Sequence, residues 1–210
     1  MVNVKSYNCF PTVISQFSLN IEHAPMMERI LLSAYRSTRP APAGRKTDRE
    51  TDEEDDHQKR NLQEDEVFKP LMSGILEATV SVLEKQQYQY DKIEITNMWA
   101  NTLDSGESHP PHTHSNNFLS GVYYLKAGNT APIQFFDPRP AAHVLQPRNT
   151  PNVINSSMVQ FDSVEGVGYI FPAWLSHWVP ATKDHRISIS WNILLRGEYG
   201  EHGTLQNAYI

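Results

Sequence analysis

The chain has 210 residues, and its 39% apolar and 10% aromatic content is typical of a folded globular protein. The formal net charge is −6, of which residues 45–66 contribute −5 through ten acidic and five basic side chains. The remainder is close to neutral and has no basic stripe that could follow a phosphate backbone, which argues against nucleic acid as a partner.

Targeting signals are not evident in the sequence. No apolar run approaches the roughly 20 residues of a membrane span, and the first ten residues lack the apolar core of a signal peptide. The single cysteine, Cys9, excludes an internal disulfide framework. We therefore expect a cytoplasmic protein without membrane contact, organised as a single domain over residues 1–210.

The first part of the chain predicts one strand-like segment and two helices. Residues 7–20 are rich in aromatic and β-branched side chains, and residues 24–35 and 67–87 each place apolar positions on one helical face. Between the helices, residues 39–66 combine Pro, Gly and charge with almost no apolar side chain. They predict a charged loop or linker within the domain.

After residue 88 the pattern changes to short runs with period-two alternation. Gly, Pro, Asn and Asp separate these runs at intervals that suit an all-β sandwich or barrel. The predicted strands lie within residues 91–101, 117–127, 131–138, 156–164, 167–175 and 185–197. Two helices followed by a run of strands predict an all-β core with the flanking helices packed outside it.

Three histidines stand close together in the stretch SHPPHTHSNN, residues 108–117. Pro110 and Pro111 predict an extended loop, which leaves His109 unplaced and starts a strand near His112. In a strand, residues i and i+2 point to the same face, so His112 and His114 would project side by side. The pair could share one metal ion, or it could be two ordinary surface residues.

A second set of candidates lies some sixty residues later. His177 stands among apolar neighbours, as a third metal ligand or as a core histidine with its hydrogen bonds satisfied. The run from Arg186 alternates two faces: one carries Arg186, Ser188 and Ser190, and the other carries isoleucines and a tryptophan. A guanidinium followed by two hydroxyls suits a buried carboxylate. The alternative is a half-exposed strand with its arginine in water.

Together these motifs resemble those of the iron(II)- and 2-oxoglutarate-dependent dioxygenases. The segments WAN, HTHSNNFLSGVYYL, GYIFPAWLSHWVPAT and RISISWN are similar to a bacterial and phage branch of that superfamily, and the likeness covers residues 92–196. It implies a double-stranded β-helix, a cupin-like jelly roll whose barrel core spans residues 92–196. The implied function is a non-heme iron hydroxylase that consumes 2-oxoglutarate and O2, releases succinate and CO2, and acts on an unidentified substrate.

The resemblance also implies roles for individual residues. His112 and His177 would be two ligands of Fe(II), and Arg186 would bind the distal carboxylate of 2-oxoglutarate with Ser188 or Ser190. The two further residues implied to contact this cosubstrate are Tyr124 and Asn101.

The departure from the superfamily pattern is His114. The usual facial triad has a carboxylate two residues after its first histidine, and this chain has an imidazole there. We expect His114 to be the third ligand. The alternatives are that Asp104 or Glu107 supplies a carboxylate from the loop, or that the site holds zinc or no metal.

Two other functional classes remain open from the sequence. One is a cupin-like three-histidine metalloprotein that works without 2-oxoglutarate, as an oxygenase, an isomerase or a metal-binding module. The other is a structural or interaction protein with idle histidines. An exposed strand edge would allow a homodimer, and no pattern in the sequence identifies the prime substrate.

Overall fold

A computed structural model of the protein describes residues 2–37, 61–139, 144–145 and 147–210. Most of the predicted charged loop, residues 39–60, lies outside the described residues. The end of that segment differs from the prediction, because Leu62–Glu64 and Glu66–Phe68 form two short 3-10 helices. Leu62 is buried, and Asp65 pairs with Arg29 at 2.6 Å, so residues 61–66 are anchored to the domain.

Two α-helices form where the apolar periodicity predicts them. Helix α1 spans Ala24–Ser37 and helix α2 spans Lys69–Lys85, with Pro70 in the first turn of α2, where its missing N–H costs nothing. No helix in the described part of the chain is long and apolar enough to cross a membrane.

Eleven strands make up the rest of the regular structure in the described residues. In chain order they are β1 Ser15–Ser18, β2 Lys92–Leu103, β3 His109–His112, β4 Leu119–Lys126, β5 Ile133–Phe136, β6 Met158–Phe161, β7 Val167–Pro172, β8 His177–Val179, β9 Arg186–Arg196, β10 Glu198–Tyr199 and β11 Ala208–Tyr209. Each of the six strands predicted after residue 88 is present, and only β2 extends past its predicted segment, by two residues to Leu103.

The strands from β2 to β9 follow the path of one long hairpin wound into a barrel. β2 pairs with β9, β3 with β8, β4 with β7, and β5 with β6, all antiparallel. The pairs are distributed over two sheets, ordered β1-β7-β4-β9-β2 and β3-β8-β5-β6. This is the topology of a double-stranded β-helix, so the predicted jelly roll is confirmed.

The hydrophobic core consists of two clusters of buried side chains. Phe68 and Ile75 of the helical region pack with Trp191 and Ile193 on the outer face of the five-stranded sheet. A second cluster, which includes Phe135, lies on strands of both sheets. The helices therefore cover one face of the five-stranded sheet, and the interior of the barrel contains the second cluster together with polar residues of β2 and β9.

Candidate metal centre

Strands β3 and β8 bring two histidines into direct register. His112, the last residue of β3, is the cross-strand partner of His177, the first residue of β8. Their ring centroids are 4.3 Å apart. Because these strands pair only when the long hairpin closes, the fold joins two residues that are distant in sequence.

The two imidazoles are oriented in the same way. Nδ1 of His112 lies 2.8 Å from the carbonyl oxygen of Pro110, and Nδ1 of His177 lies 2.8 Å from that of Leu175. A carbonyl oxygen only accepts hydrogen bonds, so each Nδ1 carries the proton and donates it. Each Nε2 therefore presents a lone pair, which is the arrangement that a backbone partner gives to metal-ligating histidines.

His114 joins the pair from outside a strand. Its Nε2 is 3.3 Å from Nε2 of His177, and the two rings are nearly parallel, with an angle of 11° between their planes. Two nitrogens that are each about 2.1 Å from one metal ion stand about 3.0–3.4 Å apart. The ligand atoms of His112, His114 and His177 all lie within 4.8 Å of one another, so the three rings fit a single ion.

His114 lies beside His112 as predicted, but strand alternation, the reason for that prediction, is wrong. Strand β3 ends at His112, so His114 is not placed by strand alternation. Its backbone N–H donates instead to the carbonyl oxygen of Ala173, at 2.9 Å. The loop that follows β7 therefore holds the backbone of this third histidine.

His109 is also placed differently from the prediction. It begins β3 rather than lying in a loop, and its ring centroid is 4.4 Å from that of His112. Prolines are tolerated here because β3 is the edge strand of its sheet and because the pairing register shifts between His109 and His112. His109 therefore lines the cavity beside the cluster.

Burial keeps the inner histidines uncharged. Burial, the largest cause, acts together with the neighbouring histidines to lower the pKa of His177 to about 3 and that of His114 to about 4. Near neutral pH both rings are therefore neutral, and little free energy is spent on removing a proton when a metal binds.

No carboxylate belongs to the cluster among the residues that the structure describes. Oδ1 of Asp104 lies 2.7 Å from Nδ1 of His185, and Oε2 of Glu107 accepts a hydrogen bond from the backbone N–H of Asp104. Both acids are exposed, and their contacts are with groups outside the histidine cluster. The geometry thus gives no support to either acid as the third ligand.

Arg186 lies in the same cavity and is 3% exposed. Its guanidinium stands 4.8 Å from the ring centroid of Tyr124, and one terminal nitrogen contacts the carbonyl oxygen of Ala131 at 3.4 Å. Nε of Arg186 and the hydroxyl of Tyr124 are buried without a hydrogen-bond partner. Burial lowers the pKa of Arg186 and raises that of Tyr124.

Arg186 lines the cavity, so its orphaned Nε gives a physical test of what the cavity accepts; Tyr124 contacts Arg186 but is not one of the lining residues. A buried donor without a partner costs about 1–3 kcal/mol, and a buried charge costs more. A carboxylate brought to this point would supply acceptors for the Arg186 fork. The residues present therefore fit one end of a dicarboxylate whose other end reaches the histidines.

The remaining predicted contacts line the same cavity, whose volume is about 270 Å³. Ser188 is buried, and the hydroxyl of Ser190 accepts a hydrogen bond from the side-chain amide of Asn101 at 2.9 Å. Sequence reasoning missed Trp99, whose ring lies 5.7 Å from that of His114. The change from Ile93 and Ile95 to Asn97 and Asn101 at later odd positions of β2, on either side of Trp99, is the signal that could have revealed this face.

Comparison with known proteins agrees with this arrangement. Residues 97–192 match the model of a family described as "Putative 2OG-Fe(II) oxygenase". That segment contains the three histidines, Tyr124 and Arg186. No curated protein gives a significant match.

Several solved structures share the fold. A Pseudomonas putida prolyl-4-hydroxylase superposes with a TM-score of 0.53 at 11% identity, over 89% of each chain. The non-heme monooxygenase ThoJ, in a nickel complex, gives 0.54 at 10% identity, over 95% of this chain and 84% of its own. A prolyl hydroxylase from Trichoplax adhaerens, in complex with a hypoxia inducible factor peptide fragment, gives 0.51 at 10% identity, over 86% and 83%. At such identities the likeness establishes the barrel.

Proposed function

We propose that the chain is a member of the iron(II)- and 2-oxoglutarate-dependent oxygenase superfamily and that it hydroxylates a C–H bond with Fe(II) held by His112, His114 and His177. It is an oxidoreductase whose metal is Fe(II) and whose cosubstrates are 2-oxoglutarate and O2. In the proposed reaction one oxygen atom enters the substrate as a hydroxyl group. The other enters succinate as 2-oxoglutarate loses CO2.

The observation that carries this proposal is the pairing of the histidine cluster with the buried Arg186 in one cavity. A three-histidine protein that works without 2-oxoglutarate has no need of a buried guanidinium with a free donor. The orphaned Nε is accounted for by a carboxylate, which we propose also accepts a hydrogen bond from the Tyr124 hydroxyl. Desolvation makes this charge-assisted contact stronger than it would be in water.

Each part of the chain has a separate task in the proposed mechanism. Bound Fe(II) supplies the redox chemistry that couples O2 to decarboxylation of the cosubstrate. The backbone carbonyls of Pro110 and Leu175 keep two imidazoles in the tautomer that offers Nε2. Arg186, with Ser188, Ser190, Tyr124 and Asn101, orients the cosubstrate. The apolar side chains that line the cavity, among them Val122, Ile133 and Phe171, exclude water from the reacting atoms.

The proposal extends to the domain organisation, the cellular location and the oligomeric state of the enzyme. A single domain over residues 1–210 in the cytoplasm agrees with the lone, exposed cysteine, and a homodimer remains compatible with the open strand edges. The low positive charge argues against a long nucleic acid as prime substrate.

Oxygen-free titration with Fe(II) and 2-oxoglutarate tests the proposal. The wild-type protein should develop the visible charge-transfer band of a chelated cosubstrate. In Arg186→Gln we expect the dissociation constant for 2-oxoglutarate to rise on the order of 100-fold, because one partner of a buried charge pair is lost. Fe(II) affinity should stay within about twofold, since Arg186 is not a ligand.

The matched control is Arg139→Gln, which removes an exposed guanidinium that pairs with Asp137. It should leave both dissociation constants unchanged. No band in the wild-type protein, or full 2-oxoglutarate affinity in Arg186→Gln, would contradict the proposed function.

A further inference from the structure

Strand β2 contains a bulge at Thr96. Ile95 pairs with Ile193 of β9, and Asn97 pairs with Asn192, so Thr96 is an extra residue without a partner on β9. Ile193 and Asn192 are consecutive and lie on opposite faces of the sheet. The bulge therefore reverses the alternation of β2, and it turns Asn97 toward the barrel interior while Ile95 packs on the outer core.

The side chain of this extra residue reaches the loop that carries His114. The Thr96 hydroxyl donates a hydrogen bond to Oδ1 of Asn117 at 2.8 Å. The amide nitrogen of Asn117 in turn donates to the carbonyl oxygen of Ser115 at 2.8 Å. A single side-chain amide thus connects the bulge to the carbonyl group of Ser115, the residue that directly follows His114.

Asn97, the residue that follows the bulge, is held by a second set of polar groups. The amide of Asn192 donates to Oδ1 of Asn97 at 2.8 Å, and the Ser120 hydroxyl donates to Oδ1 of Asn192 at 2.6 Å. Ser120 and Asn192 are both buried. The bulge is therefore held by hydrogen bonds on three strands, which makes Thr96 a rigid point of attachment.

His114 needs such an attachment because no strand holds it. The loop between β3 and β4 includes Asn116 at a φ of +62°, a left-handed conformation that is uncommon outside glycine. Its other anchors are three backbone hydrogen bonds at its two ends, from His114 to Ala173, from Phe118 to Ile193 and from Ala173 to Phe118. Between His114 and Phe118, the hydrogen bond from Thr96 to Asn117 is the only one in the described residues that joins a side chain of the loop to a side chain of the sheet.

We propose that Thr96 and Asn117 are positioning residues that set the place of His114 as third metal ligand. The inference rests on the proposed function and deepens it. Strand geometry fixes His112 and His177, whereas His114 depends on its loop. The bulge in β2 supplies the fixed hydroxyl that a regular strand would not have turned toward that loop.

Metal titration of Thr96→Val tests this role, because the change removes the hydroxyl and keeps the shape. We expect the dissociation constant for Fe(II), and for Co(II) as a spectroscopic probe, to rise on the order of 10-fold to 100-fold, as for the loss of an outer partner of a ligand. The visible bands of bound Co(II) should change in position or intensity. Thr96→Ser, which keeps the hydroxyl, should restore both.

Thr79→Val is the matched control. It removes another internal hydroxyl, which donates to the carbonyl oxygen of Ile75 within α2, far from the cluster. It should leave metal affinity and the Co(II) spectrum unchanged. Asn117→Ala removes the other partner of the Thr96–Asn117 hydrogen bond and should reproduce the effect of Thr96→Val.

A double-mutant cycle with His114→Ala separates positioning from a general loss of stability. If Thr96 acts through His114, Thr96→Val should weaken metal binding no further once His114 is removed. Unchanged affinity in Thr96→Val, or equal effects with and without His114, would overturn the inference and leave the proposed function intact. A wild-type protein that binds neither metal would overturn both.

Discussion

His114 is the residue at which this chain departs from the usual two-histidine, one-carboxylate set. A neutral imidazole in place of a carboxylate leaves a bound Fe(II) site with net charge +2 instead of +1. The more positive site attracts an anionic cosubstrate more strongly, and it offers a weaker electrostatic hold on the metal itself. Its Nε2, 3.3 Å from that of His177, makes this residue the best single probe of the centre.

Removal of the imidazole should cost most of the metal affinity. In His114→Ala we expect the Fe(II) dissociation constant to rise by at least about 100-fold, beyond the effect of losing an outer partner. His114→Asp, which restores the usual carboxylate, should recover binding to within about 10-fold of wild type. Calorimetric titration under nitrogen measures both.

His202→Ala is the control for that series, because His202 is 84% exposed and lies near the C-terminus. It should bind Fe(II) as the wild-type protein does. Full affinity in His114→Ala would show that a different group is the third ligand.

At the scale of the element, β4 shows how tightly the outer core is packed against a strand of the barrel. Gly121 lies in the middle of this strand, opposite Trp191 of β9. A Cβ at this position would meet the Trp191 ring and would come within 2.8 Å of the carbonyl oxygen of Tyr169. Trp191 is fully buried, so the ring has no space into which it can move.

Gly121→Ala should therefore destabilise the protein by about 1–3 kcal/mol or more, the range for overpacking of a filled core. Urea unfolding followed by fluorescence measures the change in the free energy of unfolding. Gly203→Ala adds the same methyl group where no atom lies within 4 Å, and it should cost only the roughly 1–2 kcal/mol of its left-handed backbone. A smaller loss at Gly121 than at Gly203 would contradict this account of the packing.

Period-two patterns predicted strands well and predicted their interruptions poorly. The alternation of β9 located Arg186, Ser188 and Ser190 on one face, and that face is turned into the cavity. In β2 the same rule would place Asn97 and Trp99 on the face of the preceding isoleucines. The bulge at Thr96 reverses the phase, and it depends on buried hydrogen bonds to other strands that the local sequence does not contain.

The short edge strand β3 was the other exception. Pro110 and Pro111 predicted a loop because they lack N–H donors. On an edge strand with a shifted register those donors are not required, so the strand begins at His109. Edge position is a property of the whole sheet and was not available from residues 108–117 alone.

At the scale of the whole molecule, the site forms because the long hairpin from β2 to β9 winds into a barrel. The closing of β3 on β8 and of β2 on β9 brings together groups far apart in the chain, with His114 and His177 separated by 63 residues. The histidines lie on one sheet and its loop, and Arg186 lies on the other sheet. A dicarboxylate cosubstrate bound to metal would therefore connect both sheets of the barrel.

This connection can be observed directly in a crystal structure grown without oxygen in the presence of Fe(II) and 2-oxoglutarate. We predict one iron with three nitrogen ligands, from His112, His114 and His177, each at about 2.1 Å, and a carboxylate paired with both Arg186 and the Tyr124 hydroxyl. An oxygen ligand from Asp104 or Glu107 in place of His114, or a cosubstrate that does not reach Arg186, would contradict the account.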